Sequence, residues 1–173
     1  MMTVREAHLE DLDRLLHLWS EFLAEQGDID GKLSMSDDAD RRFRADLPEW
    51  IHDTTRVFEV AEAEGQIAGF VSARLWSLPP IFETVPELFI EYLYVDNSFR
   101  RRGIGKALVD RVADCAAEWG AHRIRLSVID RNAVGKAFWE AMGGETVIRE
   151  MVVGVHRKES GPPRRPIGFV GNP

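Results

Sequence analysis

Apolar residues in the first third of the chain recur with a helical period. Leu12, Leu15, Leu16, Trp19, Phe22 and Leu23 fall on one stripe, which predicts a helix from Leu9 to near Gly27. Thr3–Glu6 ahead of it fits a short edge strand, and the polar stretch Asp28–Ser34 fits a loop. Ser36, Asp37 and Asp38 are plausible caps for a second helix. That helix is expected to run to about Leu47, where Pro48 disturbs it, with Trp50 and Ile51 in a further turn. The period then shortens to two. Val57–Ala63 and Gln66–Leu78 read as strands joined at Glu64-Gly65, a hairpin turn signal. Ser77–Glu87 holds three prolines and is expected to be irregular. Its Ile81 and Phe82 suit a pocket wall, a subunit contact or a tucked-in loop.

Leu88–Val95 reads as the next strand, with Phe89, Glu91, Leu93 and Val95 on one face and Ile90, Tyr92 and Tyr94 on the other. A basic turn follows, then a helix with Ile104, Leu108, Val112, Ala116 and Trp119 on its core stripe and Gly120 at its end. His122–Ile129 alternates strictly, placing Ile124, Leu126 and Val128 together. A strand–helix–strand unit of this size implies a parallel pair with a right-handed crossover. Ala133–Met142 is expected to be a short helix between Asn132 and Gly143-Gly144, and Glu145–His156 a further strand. These elements make one domain over residues 1–157. Residues 158–173 hold four of the eight prolines and read as a Pro/Gly-rich C-terminal tail, either mobile or docked on a partner subunit.

Composition narrows the function classes. A net charge of −7 argues against a broad nucleic-acid surface, so the arginines at 100–102 form a local basic island. Residues 1–60 carry fifteen acids against seven bases, either a solvated helical surface or an acidic approach for a cationic substrate. The single cysteine allows no internal disulfide, and no Cys/His set has metal-ligand spacing, so no metal is expected. The charged N-terminus lacks the apolar run of a signal peptide, and no stretch is long enough to span a membrane. A cytoplasmic protein without membrane or nucleic-acid partners is the expectation.

The chemistry concentrates between Leu88 and Gly120. A helix entered through a glycine turn presents unbonded N–H groups and a positive dipole end to an anion. Two phosphate motifs fail here. A dinucleotide fingerprint needs glycine where Leu108 stands, and a P-loop needs Ser or Thr where Ala107 stands. What remains is Arg100-x-x-Gly103-x-Gly105. Glycine at these positions lets a backbone approach a pyrophosphate closely, with N–H groups from about Arg101 to Lys106 converging on it.

This motif resembles the acyl-CoA-binding signature of the GCN5-related N-acetyltransferase (GNAT) superfamily. The resemblance extends to the preceding IEYLYVDNSFR, to the later DRNAVGKAFWEAMGG and to the order of elements from Thr3 to His156. It implies an α/β fold with a mixed central sheet flanked by helices. The N-terminal strands would be antiparallel, and a parallel, splayed pair would form the acyl-CoA site. It implies an N-acetyltransferase that moves an acetyl group from acetyl-CoA directly to a primary amine of a small molecule or protein. A non-catalytic acyl-CoA-binding sensor or subunit is the alternative. Members often dimerise, so a homodimer is among the expected assemblies.

By the same resemblance, Arg100, Arg101, Arg102, Gly103, Ile104, Gly105 and Lys106 would hold the pyrophosphate. Leu93, Tyr94 and Val95 would meet the pantetheine arm and thioester through their backbone, and Asn132 would bond the arm. Arg102 and Lys106 also suit a solvated surface, and Asn132 suits a helix N-cap.

An amine acceptor must lose a proton before or during attack, since alkyl ammonium titrates near pH ~10. Glu91, the only acid between Leu88 and Val95, is the candidate general base, with Asp96 and Glu83 as substitutes. Where many members carry a tyrosine proton donor this chain has Trp139. The leaving thiolate would then be protonated by water, Tyr92 or Tyr94.

Overall fold

A computed structural model describes residues 2–79, 81 and 85–154 of the chain. Strand β1 (Met2–Glu6) leads through a short 3-10 turn into helix α1 (Leu12–Ile29), and helix α2 (Ala39–His52) follows. Strands β2 (Arg56–Ala63), β3 (Gln66–Trp76) and β4 (Glu87–Val95) come next. Helix α3 (Ile104–Glu118), strand β5 (Arg123–Leu126) and helix α4 (Ala133–Ala141) complete the described elements. The strands form one sheet in the order β1-β2-β3-β4-β5. The first three neighbouring pairs are antiparallel, and β4 and β5 run parallel around α3. The mixed sheet and its parallel pair are as the sequence implied.

Two apolar clusters separate the faces of the sheet. On one, Ile104, Leu108, Val109, Val112 and Ala116 of α3 pack against Val57, Ala61, Val71, Ala73, Leu88 and Ile90. On the other, Leu15, Leu16, Leu18 and Trp19 of α1 and Phe43 and Leu47 of α2 cover Phe58, Val60, Phe70 and Tyr94. Trp19 and Phe43 stack with ring centroids 3.7 Å apart, joining the two helices. Burial of such side chains is worth roughly 1.5–3 kcal/mol each, enough to set helix positions against local preference. Helix α2 illustrates this, because it runs through Pro48 rather than stopping before it. Phe43 and Leu47 before the proline and Trp50 after it share the face on the sheet, and that packing offsets the missing ladder bond.

The alternation expected in β4 fails at one residue. Tyr92 pairs with Ser72 and Ile90 with Ala73, so Glu91 is an extra residue with no partner on β3. This β-bulge shifts the phase of the strand. Leu88 and Ile90 face α3, and beyond the bulge Leu93 and Val95 face it, while Tyr92 and Tyr94 face α1 and α2. Glu91 and Tyr92 therefore share a side, although strict alternation puts them on opposite sides.

Two other sequence expectations need correction. Strand β5 ends at Leu126 instead of reaching Ile129, and Val128 is exposed. Residues Glu145–Gly154 form no strand with any described residue. The expected end of that strand at Val155–His156, the tail 158–173, Phe82 and Glu83 lie outside the described residues. No helix among the described residues is long and apolar enough to cross a membrane.

Gly69 on β3 lies beneath the end of β4. A Cβ there would stand 2.6 Å from the Tyr94 carbonyl oxygen and 3.2 Å from Val95 Cα. Gly69→Ala is expected to destabilise the fold by about 1–3 kcal/mol and to weaken acetyl-CoA binding by displacing the β4 edge. Thermal melts and a binding titration on the same variant check both effects.

Candidate active site

The bulge coincides with the point where β4 and β5 part. Their pairing runs from Glu87↔Arg123 to Ile90↔Leu126 and stops, so Glu91–Val95 have no described partner on the β5 side. An added residue increases local twist and bends its strand, and here the bent half leaves its neighbour. Bonding along an antiparallel pair alternates. The Asp96 N–H bonds the Ala68 carbonyl at 2.9 Å, so Tyr94, two residues back, turns its amide toward β3. Leu93 and Val95 turn theirs into the opening. Of the three residues expected to present backbone there, two are so oriented.

The turn from β4 into α3 is held by side chains. Asp96 accepts hydrogen bonds from the Ser98 N–H (2.9 Å) and hydroxyl (2.6 Å) and pairs with Arg14 of α1. The Ser98 hydroxyl bond is the main cause holding the Asp96 carboxyl below its ordinary range, supplemented by the Ser98 amide and Arg14 and opposed by partial burial. Buried Phe99 anchors the following 3-10 turn. Arg101 has a φ of +64° and Gly103 of +82°. A Cβ on Gly103 would meet nothing within 4 Å, so the glycine serves the left-handed backbone and keeps the space before it open. Gly105 has a different reason. A Cβ there would lie 3.3 Å from the Phe138 ring of α4, so this glycine lets α4 approach α3.

The first bond of the α3 ladder runs from the Ala107 N–H to the Gly103 carbonyl at 3.0 Å. The N–H groups of Ile104, Gly105 and Lys106 precede that ladder, and no side chain caps them. Arg101, Arg102 and Lys106 surround this end of the helix and are exposed. Arg102 pairs with Glu64 at 2.7 Å and Lys106 with Asp110 at 2.6 Å, surface pairs that an incoming anion can displace. Unbonded amides, an open approach and three cations fit a pyrophosphate.

Arg100 points elsewhere. Its Nε donates to the Val95 carbonyl (2.8 Å), and its Nη2 donates to both oxygens of Glu25 on α1 (2.9 Å each). Glu25 also accepts from the Tyr94 hydroxyl and the Asn97 amide, each at 2.9 Å. One carboxylate on α1 thus ties down the end of β4 and the start of the turn. The motif arginine acts here as a strut. Nothing in the local sequence marks Glu25, which stands 75 residues earlier.

Glu91 lies on the α1/α2 side, paired with Arg56 of β2 and with Arg74 of β3 at 2.8 Å. The Arg56 guanidinium also donates to the Ser72 hydroxyl (2.8 Å) and lies 4.7 Å from the Trp50 ring centroid. Trp50 stacks on Tyr92, and Phe22 meets Tyr92 edge-on. Sequence reasoning missed Arg56 and Arg74. The convergence of the two arginines on Glu91 depends on strand register, which leaves no local signal.

The proton donors considered from sequence fare differently. Burial, with help from the Glu25 bond, raises the Tyr94 pKa well above the ordinary phenol value. Burial, then the Glu91 charge, raises that of Tyr92. Trp139 packs with Phe138 against the α3 cluster, where its ring serves the core. Asn132 caps α4 through a bond from the Gly135 N–H to Oδ1 at 2.8 Å, leaving its Nδ2 protons for another acceptor.

A folded pKa below the unfolded value means that Asp96 contributes stability above its ordinary 3.8, lost as pH falls through the lower folded value. Acetyl-CoA binding is therefore expected to weaken below pH ~4 as the turn loosens. Asp96→Asn should show weaker binding at neutral pH and less of this acid-dependent loss, measured by titration across that range.

The geometry agrees with known proteins. A sequence profile described as the acetyltransferase (GNAT) family matches residues 13–143. Thialysine N-epsilon-acetyltransferase of Bos taurus is 27% identical over 144 residues, covering 82% of this chain and 83% of its own. An aminoglycoside N-acetyltransferase solved with CoA superposes with a TM-score of 0.71 at 23% identity, over 92% of this chain and 96% of its own. A predicted acetyltransferase from Clostridium acetobutylicum, solved with acetyl-CoA, gives a TM-score of 0.71 at 20% identity, over 89% and 96%. The chain belongs to the acetyltransferase (GNAT) family and is an enzyme that transfers an acetyl group from acetyl-CoA to an amine.

Proposed function

We propose that the acceptor is the primary amino group of a small cationic alkylamine, bound on the α1/α2 side of the opening where Glu91 lies. The observation that carries this reading is the shared face of Glu91, Tyr92, Trp50 and Phe22 behind the bulge. Half-buried aromatic rings attract an ammonium group and cover an alkyl chain. The acid excess of residues 1–60 draws cations toward that side. Two relatives support the class by name. One is the Bos taurus thialysine N-epsilon-acetyltransferase. The other is an L-ornithine N5-acetyltransferase of Arabidopsis thaliana, 34% identical over 79 residues, 46% of this chain and 34% of its own. Both names place the acetyl group on a side-chain amine. A reducing, cytoplasmic setting suits the single, buried Cys115.

In this reading Ile104, Gly105 and Lys106 amides hold the pyrophosphate, with Arg101, Arg102 and Lys106 side chains adding charge. Backbone at Leu93 and Val95 bonds the pantetheine arm and polarises the thioester carbonyl, and Asn132 Nδ2 bonds the arm. Glu91 accepts the proton that the ammonium must lose. Two arginines fix its orientation, and a carboxylate has about four acceptor sites, so sites remain for the amine or a bridging water. The free amine attacks the carbonyl carbon and the C–S bond breaks; the nitrogen gives its second proton to water as water protonates the leaving thiolate, leaving the acetamide, the CoA thiol and the first proton on Glu91. Thiols titrate near pH ~8.5, so that leaving group needs little assistance.

Thiol release with acetyl-CoA and a panel of thialysine, ornithine, a linear polyamine and an aminoglycoside tests the acceptor class. Highest kcat/KM for a small alkylamine is expected, and preference for the aminoglycoside would displace this assignment. Glu91→Gln should lower kcat by about 100-fold while changing acetyl-CoA affinity little. An unaltered pH–rate profile in that variant would remove Glu91 as the base. Gly103→Asp should abolish acetyl-CoA binding with the fold retained, because aspartate tolerates a left-handed backbone and brings negative charge to the phosphate site.

A further inference from the structure

The sheet face that carries Glu91 continues past the cover of α1 and α2. Their apolar cluster takes in Ile67 and Phe70 of β3 and Tyr92 and Tyr94 of β4, and no residue of β5. Beyond it, strand register sets one row across four strands: Arg56↔Arg74, Arg74↔Phe89 and Phe89↔Arg125. Residues directly opposite one another share a face of the sheet, so this row lies on the side of Glu91. Three of its four members are arginines. The next row runs Trp76↔Glu87 and Glu87↔Arg123.

Like charges directly opposite across two strands are destabilising, so the Arg56–Arg74 pair needs an anion beside it. Glu91 supplies one, yet Arg56 alone would compensate that carboxylate. Arg56 is 10% exposed, donates to Glu91 and to the Ser72 hydroxyl, and lies 3.9 Å from Asp53. Arg74 differs. It bonds Glu91 through Nε at 2.8 Å, its side chain is 37% exposed, and neither of its Nη groups donates to a described residue. The excess repeats one row away. Arg123 and Arg125 both pair with buried Glu87, and the Arg125 guanidinium lies 4.5 Å from the Trp76 ring centroid. Glu87 and Glu91 thus meet four arginines, two each, in a chain whose net charge is −7.

We propose that the acceptor carries a carboxylate as well as its reacting amine, and that Arg74 binds this carboxylate. The inference rests on the placement of the amine at Glu91. The two Nη groups of a guanidinium form a planar fork that meets a carboxylate through two parallel hydrogen bonds. Arg74 holds the base with Nε and offers that fork at its outer end. One side chain therefore fixes the spacing between the proton acceptor and the anion subsite. An amino acid with an amine at the far end of its alkyl chain spans the two. Phe89, partly buried and next in the row, gives the alkyl chain an apolar floor. Arg125, on the other flank of Phe89, adds positive potential. A linear polyamine would instead bring a second ammonium group among these arginines, where like charges repel.

Thiol release by the full chain with acetyl-CoA and ornithine, ornithinamide or 1,4-diaminobutane tests the assignment. The three acceptors share an amine on a short alkyl chain and differ at the carboxylate, which is charged, neutralised or absent. Ornithine is expected to show a kcat/KM about 10- to 100-fold above both others. Arg74→Gln should remove that margin while leaving the ratio between ornithinamide and 1,4-diaminobutane little changed. Any loss through a displaced Glu91 falls on all three acceptors alike, so the margin isolates the carboxylate. Arg74→Lys keeps the charge without the fork and should restore part of the margin. Equal turnover of the three by the unaltered enzyme, or preference for the diamine, would overturn the carboxylate subsite and leave the alkylamine reading standing. A margin that survives in folded Arg74→Gln would refute Arg74 as its source. Turnover of none of the three would sink the alkylamine reading and this inference together. If Arg74→Gln does not fold, the margin in Arg74→Lys and the ornithine–ornithinamide ratio of the unaltered enzyme decide.

Discussion

The extra residue in β4 links the geometry of the sheet to the chemistry of the site. Glu91 has no partner on β3, and immediately before it, at Ile90↔Leu126, β4 loses its pairing with β5. The bulge reverses which side chains face α3, brings Glu91 and Tyr92 to one side, and turns the amides of Leu93 and Val95 into an unpaired edge. The cost of the bulge is the loss of ladder bonds and the placing of a half-buried acid among apolar neighbours. Arg56 and Arg74 compensate the charge, and Gly69 accommodates the approach of the bent strand.

The turn into α3 depends on the same bend. After Val95 the chain must reverse within a few residues and enter α3 with its first amides free. Asp96, buried Phe99 and the left-handed residues Arg101 and Gly103 accomplish this locally. The longer-range brace is Glu25, which collects donors from Tyr94, Asn97 and Arg100. Because that carboxylate belongs to α1, the α1 side of the sheet and the entry to α3 are mechanically joined. Displacement of α1 would move both the end of β4 and the entry to α3.

Several parts of the site were legible from local patterns because they obey local rules. Gly103 is needed for a positive φ, the amides beyond it are free because a helix begins there, and Asn132 caps α4. The antiparallel hairpin and the parallel crossover followed from turn residues and connection length. Other parts were not legible. Motif spacing cannot reveal that the Arg100 side chain meets Glu25 of α1. Nor does spacing reveal that the missing side chain of Gly105 makes room for Phe138. Trp139 stood out as a missing acid, and its ring has a packing role instead.

The sequence by itself determined the order and type of the elements as far as α4, the glycine turn into α3 and the membership of the family. These depend on periodicity, backbone preference and residues close together in the chain. Only the tertiary structure decided the phase of β4, the end of β5 and the course of Glu145–Gly154, which form no strand with any described residue. Each of these is set by what an element packs or pairs against, and burial of several side chains outweighs the smaller preferences of the residues involved. A bulge one residue long leaves no periodic signature of its own. It emerges when both flanking halves of a strand must keep their apolar side chains on faces fixed by neighbouring helices.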